Sequence, residues 1–600
     1  MSTETPLPDG SPRARFALLV VGSLLLGGCG GGGDGGGDNG GGSDAPAGPV
    51  TISGKAQYQL PPPGPACQGL DFNAIELRPI RQATIELLAA VDDSVLDSGV
   101  TDDTGAFALT VDPQAQVYIR VRAELKRTGS PSWNVEVRDN TATMTASGSP
   151  LALKARPLYV LDTAAFSSGT ADMTRNVTAA TGWDGTSYTG KRAAAPFAIL
   201  DTVYAGMLLV LGTGPETSFE PLDVFWSVNN RPADGNIDDG DITTSFYRAS
   251  DNSIFLLGDA STASSDADEF DDHVVGHEWG HYFEDIFSRS DSIGGPHMLG
   301  DRLDMRLAFS EGWATALSGM VLASPDYCDT TLSRGFSIDI ENGVGGTSGW
   351  FNEISVVTFV YDLWDEEVDG PDTGSLGFGP IHEVMTGSYA DTPAFTSIYP
   401  FAEALKAENP AGAPLVQALL DGEDVSGTGA FGDGESNDAG ALEDVLPVYT
   451  EIVPDGSTVN ICSNSQFDRD GTGSLIADGN KLSEHRYLTM TITDPARYTF
   501  DIRTTTVIPI VDDPNNDSDQ SDPDILILLN GERQNAVVAG DLQGFSGDAG
   551  QEIFTTPDVL QAGQYVMALV EFRYQDTDPP LTPDNYPART CFDVSVSAAP

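Results

Sequence analysis

Six hundred residues exceed what one hydrophobic core serves and predict three or four domains. Acidic residues outnumber basic ones 89 to 30, and the resulting net charge of −59 repels phosphate backbones and excludes nucleic acid as a partner. The same charge favours solubility and offers oxygen ligands of the kind calcium takes, although a solvated exterior accounts for most of it.

At the N-terminus, Arg13 and Arg15 precede an apolar run from Phe16 to Leu26, followed by Gly27, Gly28 and Cys29. The run is too short to span a bilayer as a mature helix and fits an export signal. Leu26-Gly27-Gly28-Cys29 resembles the bacterial lipobox. That resemblance implies a signal peptide over 1–29 and a lipid on Cys29, with a simply secreted leader as the alternative. The glycine-rich stretch 30–49 reads as a flexible tether. Gly30 after the cysteine, where an inner-membrane lipoprotein often has Asp, implies the outer membrane in a cell that has one. Four cysteines then remain, and an exported chain pairs them into two disulfides in one of three ways. Cys462 and Cys591 bracket one C-terminal segment and are expected to pair, which leaves Cys67 for Cys328.

Residues 50–155 read as strands. "ATIELLAA", "FALTV" and "VYIRVRAEL" are short apolar or alternating runs, with a turn at Asp102-Asp103-Thr104-Gly105. Their arrangement resembles the transthyretin-like or carboxypeptidase-regulatory β-sandwich found beside exported enzymes.

Residues 156–450 are mixed. "AAAPFAILDTVYAGMLLVLG" has helical spacing, and "PLDVFWSV" and "SIFLLGD" read as strands. Three of the six histidines then fall four apart in "EFDDHVVGHEWGHYFEDIF", at His273, His277 and His281. Phe270, Val274, Tyr282, Phe283, Ile286 and Phe287 give this segment an apolar stripe, and Asp266 or Asp268 is the expected cap. After Gly294-Gly295-Pro296 come two more helical runs, "LAFSEGWATALSGMVL" and "NEISVVTFVYDLWDEEV".

His277-Glu278-Trp279-Gly280-His281 is an HExxH pattern. On a helix the two imidazoles share a face and can converge on one Zn²⁺, while Glu278 can deprotonate a water and pass the proton to a leaving amine. The plainer reading has these histidines packing in a core helix. A third ligand must come from elsewhere. Glu284 and Phe287 stand where metzincins have Gly and His, which excludes that subclass. Glu311, thirty positions after His281, lies in an apolar helix where a lone carboxylate is costly unless it binds something positive. A carboxylate placed for a helix dipole is the alternative.

HEWGH followed by FSEGWA resembles the gluzincin tribe of zinc metallopeptidases over about residues 190–390. The resemblance implies His277, His281 and Glu311 as zinc ligands and Glu278 as the general base. It further implies that "SIFLLGD" forms the cleft edge that pairs with an extended peptide. Thermolysin relatives carry an Asp four residues after the ligand Glu that supports the metal site from behind the ligands. Thr315 stands there instead, so the substrate pockets and calcium sites of that group do not transfer. The oxyanion donor is expected at Tyr361 or His382, ahead of His297, and His273 is expected to pack beside the ligands or support them. Glu353 would anchor an α-amine if the enzyme were an aminopeptidase. The acidic turns 234–241 and 513–524 are candidate calcium sites, although such turns are usually only solvated.

Residues 451–600 return to strands: "YLTMTI", "RYTFDIR", "DILILL", "GQYVMALVEF" and "CFDVSVS". This order resembles the prepeptidase C-terminal domain. The expected fold is therefore a multidomain α+β chain: an N-terminal β-sandwich, a zincin-like α/β catalytic domain with a helical second half (156–450), and a C-terminal β-sandwich. The expected function is a lipid-anchored endopeptidase cleaving extracytoplasmic proteins or peptides, with a non-catalytic surface-binding lipoprotein as the rival.

Overall fold

Strand Val50–Leu60 alternates buried and less buried residues along its length, and one sheet is built around it. It pairs antiparallel with Ala106–Val111 and Glu76–Pro79, and parallel with Met173–Thr174 and Val177–Ala179. This computed structural model describes residues 48–262, 265–343, 347–368, 370, 372–506, 521–534, 550–575, 581–582 and 586–600. The expected signal, Cys29, the tether to residue 47 and most of the 513–524 acidic segment lie outside the described residues.

A second, nine-stranded sheet runs in the order Phe246–Arg248, Ser253–Leu256, Leu222–Trp226, Trp133–Arg138, Gln116–Arg127, Ala83–Ala89, Val95–Val100, with two short strands added on Gln116–Arg127. Leu222–Trp226 lies parallel to both Trp133–Arg138 and Ser253–Leu256. The boundary expected at 155/156 therefore runs through a sheet and not between two. The expected cleft-edge strand is also displaced. Ser253–Leu256 has a neighbour on each side, and the edge is Phe246–Arg248, antiparallel to it.

Seven α-helices lie among the described residues. Helix α1 (Ala195–Thr213) has the length and apolarity of a membrane span, but 67% of that window is buried in the fold, which makes it a core helix. Helix α2 (Asp272–Phe287) carries HEWGH and α3 (Met305–Leu322) carries Glu311. Helix α4 (Glu353–Asp362) is shorter than the predicted run, and α5 (Phe378–Met385), α6 (Ile398–Glu408) and α7 (Ala413–Gly422) complete the helical part.

The C-terminal region is a sandwich of a five-stranded and a four-stranded sheet. Alternate residues such as Leu488, Met490, Phe500, Ile502, Met567, Leu569, Phe592 and Val594 fill the space between them. From the other face of the five-stranded sheet, Tyr487, Val566 and Ala568 join the core that contains the helices. Residues 48–600 accordingly form one unit.

Cys67 is bonded to Cys328 and Cys462 to Cys591, as expected. The first ties the N-terminal β region to the hairpin Asp326–Thr330/Gly335–Asp339; the second joins register partners on adjacent strands. Two disulfides are the mark of an oxidising, extracytoplasmic compartment.

Candidate metal centre

Small residues let α2 and α3 approach closely. A Cβ on Gly280 would sit 2.7 Å from Cα of Ala314, and one on Gly276 would sit 3.1 Å from Cβ of Ser318. Helix α2 starts after Asp271, not at the expected Asp266 or Asp268, which lie in or just before the preceding single turn Asp268–Phe270. Asp271 does not cap with its side chain; its carboxylate accepts from the backbone N–H and the hydroxyl of Thr330. Helix α3 is capped by Asp304, which accepts from the backbone N–H of Arg306.

This packing brings three donors together. His277 Nε2 and His281 Nε2 are 3.1 Å apart, and Glu311 Oε2 lies 3.3 Å from the first and 3.4 Å from the second. A tetrahedral ion with bonds of about 2.0–2.1 Å separates its ligand atoms by about 3.3–3.4 Å. The triangle therefore matches one face of such a coordination shell, and the donor set, two imidazoles and a carboxylate, suits zinc. The three side chains are 14, 17 and 13% exposed, dry enough to strengthen electrostatics yet open to solvent.

The outer nitrogens are also held. His277 Nδ1 is 2.9 Å from Thr315 Oγ1, and His281 Nδ1 is 3.4 Å from Ser310 Oγ. Ser310 donates its single proton to Glu284 at 2.6 Å, so toward His281 it can only accept. The proton of a neutral His281 then sits on Nδ1 and the Nε2 lone pair faces the site. No sequence motif marks Thr315 and Ser310 as partners of the histidines. Their signal was position: one lies next to Glu311 and the other one helical turn beyond it.

Burial alone would raise the Glu311 carboxyl, but His281 and His277 outweigh it and hold it well below the ordinary range. Burial alone would lower His281, and Glu311 instead holds it up at about 9. The cluster therefore calls for positive charge, which a proton or a divalent ion supplies. Burial pushes the adjacent Glu278 carboxyl up, and the two imidazoles pull it part of the way back. The backbone of Tyr247, on the edge strand, faces the same carboxylate and also lowers it slightly.

Two further residues meet the cluster. His297 Nε2 lies 3.6 Å from Glu311 Oε2 and 3.9 Å from Glu353 Oε2. Glu353 opens α4 with that oxygen buried and lacking a hydrogen-bond partner, and burial, then Glu311, lift its carboxyl to about 7. Helix α4 reaches this close because a Cβ on Gly312 would meet Val356 Cβ at 2.5 Å.

The structure does not bring Tyr361 or His382 to the cluster, against expectation. Tyr361 packs at Gly319, two turns or about 12 Å along α3 from Glu311, and against Trp364. His382 lies on α5 against Phe283 and Phe378, on the side of α2 away from His281. His273 contacts Tyr327 and the Ser324 carbonyl, and burial pushes it down to about 4, so it is a neutral packing residue. In 234–241, Asp238 pairs with Arg156 and Asp241 with Arg231, and no three carboxylates gather there among the described residues.

No protein-family model and no curated protein matches the sequence. Among solved structures, 25% of the chain aligns with 93% of the pre-peptidase C-terminal domain of a collagenase from Bacillus anthracis, at 10% identity and a TM-score of 0.14. The same share aligns with 99% of CorA, a surface-associated copper-binding protein of Methylomicrobium album BG8, at 10% identity and a TM-score of 0.16. It also aligns with 96% of PliG, a periplasmic inhibitor of g-type lysozyme from Aeromonas hydrophila, at 10% identity and a TM-score of 0.13. At such TM-scores these likenesses carry no argument.

Proposed function

We propose that this chain is a gluzincin-type zinc peptidase with a zincin-like arrangement around α2 and α3. It is exported, anchored to the envelope through a lipid on Cys29, and acts on proteins or peptides outside the cytoplasm; its C-terminal sandwich is of the prepeptidase C-terminal kind. What carries this reading is the convergence of His277, His281 and Glu311 at 3.1–3.4 Å beside the buried Glu278.

Zn²⁺ held by these three residues would polarise a scissile carbonyl and acidify a water molecule. Glu278 takes a proton from the attacking water and returns it to the leaving amine; its raised carboxyl suits both transfers. His297 Nδ1 donates to the Gly295 carbonyl, so Nε2, beside Glu311, donates to the carbonyl oxygen as the imidazolium, whose charge offsets the one that oxygen gains. The edge strand Phe246–Arg248, next to Glu278, is where an extended substrate adds as a further strand.

Casein digestion by the full chain tests the reading, with chelator, with zinc restored, and with Glu278→Gln. The expected result is activity that chelation removes and zinc restores, and that Glu278→Gln lacks. Equal inactivity of wild type and variant, both zinc-loaded, would make the site structural and the protein a surface binder. One observation favours a second reading, as an aminopeptidase: the Glu353 oxygen beside the cluster, which has no hydrogen bond, suits an α-amine. Under that reading N-acetylation of a peptide abolishes its cleavage; under the endopeptidase reading it does not.

A further inference from the structure

Ahead of α2 lies a second group of convergent acids. One carboxylate oxygen from each of Asp266, Asp268 and Asp329 lies within 4.8 Å of the others. Asp268 is only 3% exposed. Its Oδ2 accepts from the Ser245 hydroxyl, but its Oδ1 is buried with no hydrogen-bond partner, and so is Oδ1 of Asp266. Asp271, the neighbouring acid, has both oxygens engaged by Thr330. The charges that Asp268 feels most strongly are those of Asp266, Asp329 and Asp271, all acids. Among the described residues, none of the three pairs with a lysine or arginine. Buried carboxylate oxygens that lack a donor, in a group of acids without counter-charge, are costly, and a bound cation removes that cost.

We infer that Asp266, Asp268 and Asp329 form a calcium site distinct from the histidine cluster. All three donors are oxygens, which selects a hard cation over zinc, and calcium accepts an irregular set of carboxylates that magnesium's strict octahedron disfavours. The acids come from two segments: the chain entering α2, and the strand Asp326–Thr330. Asp329 adjoins Cys328, which is bonded to Cys67. An ion here clamps the start of the HEWGH helix to a hairpin already fixed covalently to the N-terminal β region.

The test is equilibrium dialysis of the zinc-saturated full chain against ⁴⁵Ca, with thermal melts in calcium, in magnesium and in neither. Wild type, Asp268→Asn and Asp329→Asn are compared. The expected result is one saturable calcium per chain, with a Kd of about 10⁻⁴ M or tighter, absent from both variants. Calcium should raise the wild-type melting temperature more than magnesium does and leave both variants unmoved. Without calcium each variant should melt no lower than wild type, because it removes one charge from a repelling group. The inference is overturned if wild type shows no saturable site or if the variants keep it. It is equally overturned if the variants melt lower than wild type without calcium, since the acids would then be structural.

Discussion

Thr315 Oγ1 lies 2.9 Å from Nδ1 of His277, the ring nitrogen that faces away from the three-donor cluster. A hydroxyl fixes the ring's orientation without adding a second negative charge beside Glu311. Thr315→Val removes that contact at nearly constant volume. We expect zinc affinity to fall about 10–100-fold, measured by competition with a chromophoric chelator, while Thr315→Ser retains it. Equal affinity for the valine variant would mean that the contact does not orient the ligand.

Gly280 sits where α2 and α3 are closest. Gly280→Ala places a Cβ 2.7 Å from Cα of Ala314, so one helix must move. The expected cost is about 1–3 kcal/mol in urea denaturation. A parallel loss of zinc affinity should follow, because the same shift carries Glu311 away from His277 and His281. Loss of stability with unchanged affinity would detach the packing from the site.

Of the three candidate oxyanion donors, only His297 reaches the cluster. His297→Gln should lower kcat about 10²–10³-fold with zinc content unchanged. Tyr361→Phe and His382→Gln should each keep near-wild-type turnover. The reverse pattern would make Tyr361 or His382 the donor.

Much of this site was legible in the sequence. The HEWGH spacing predicts the α2 histidines, and the cost of a bare carboxylate in an apolar run singles out Glu311. The location of His297 was hidden because its loop is shaped from far away. Asn480 Nδ2 donates to the carbonyls of Gly294 and Pro296, and Lys481 Nζ donates to Pro296. No local pattern encodes contacts across 184 to 186 residues. The C-terminal strands were legible because their inward residues alternate. The parallel pairing of Leu222 with Val135 was not, since pairing between distant segments leaves no local period. The sequence marks Thr315 only as a missing carboxylate, because a hydroxyl's contact with His277 depends on how α2 packs on α3.

The cap of α3 couples the site to the C-terminal sandwich. Tyr487 donates to Asp304 at 2.6 Å, and Arg306 bonds the same carboxylate at 2.9 Å. Burial alone would raise the Asp304 carboxyl, but Arg306 outweighs it and holds it at about 2. The folded value lies below the ordinary 3.8, so this pair contributes stability above about pH 4 and loses it as pH falls toward 2. Asp304→Asn preserves the cap but leaves the Arg306 charge buried and unpaired, which costs about 3–5 kcal/mol at neutral pH. In urea denaturation the gap between variant and wild type should narrow between pH 4 and pH 2. A constant gap across that range would contradict the ionic origin.

Zinc K-edge absorption on the zinc-loaded full chain reads the coordination shell itself. Two imidazole nitrogens and a carboxylate oxygen at about 2.0–2.1 Å, with Glu311→Gln losing the oxygen contribution or the metal, are the predicted result. A spectrum that Glu311→Gln leaves unchanged, or one requiring sulfur or a single imidazole, would contradict a centre built from His277, His281 and Glu311.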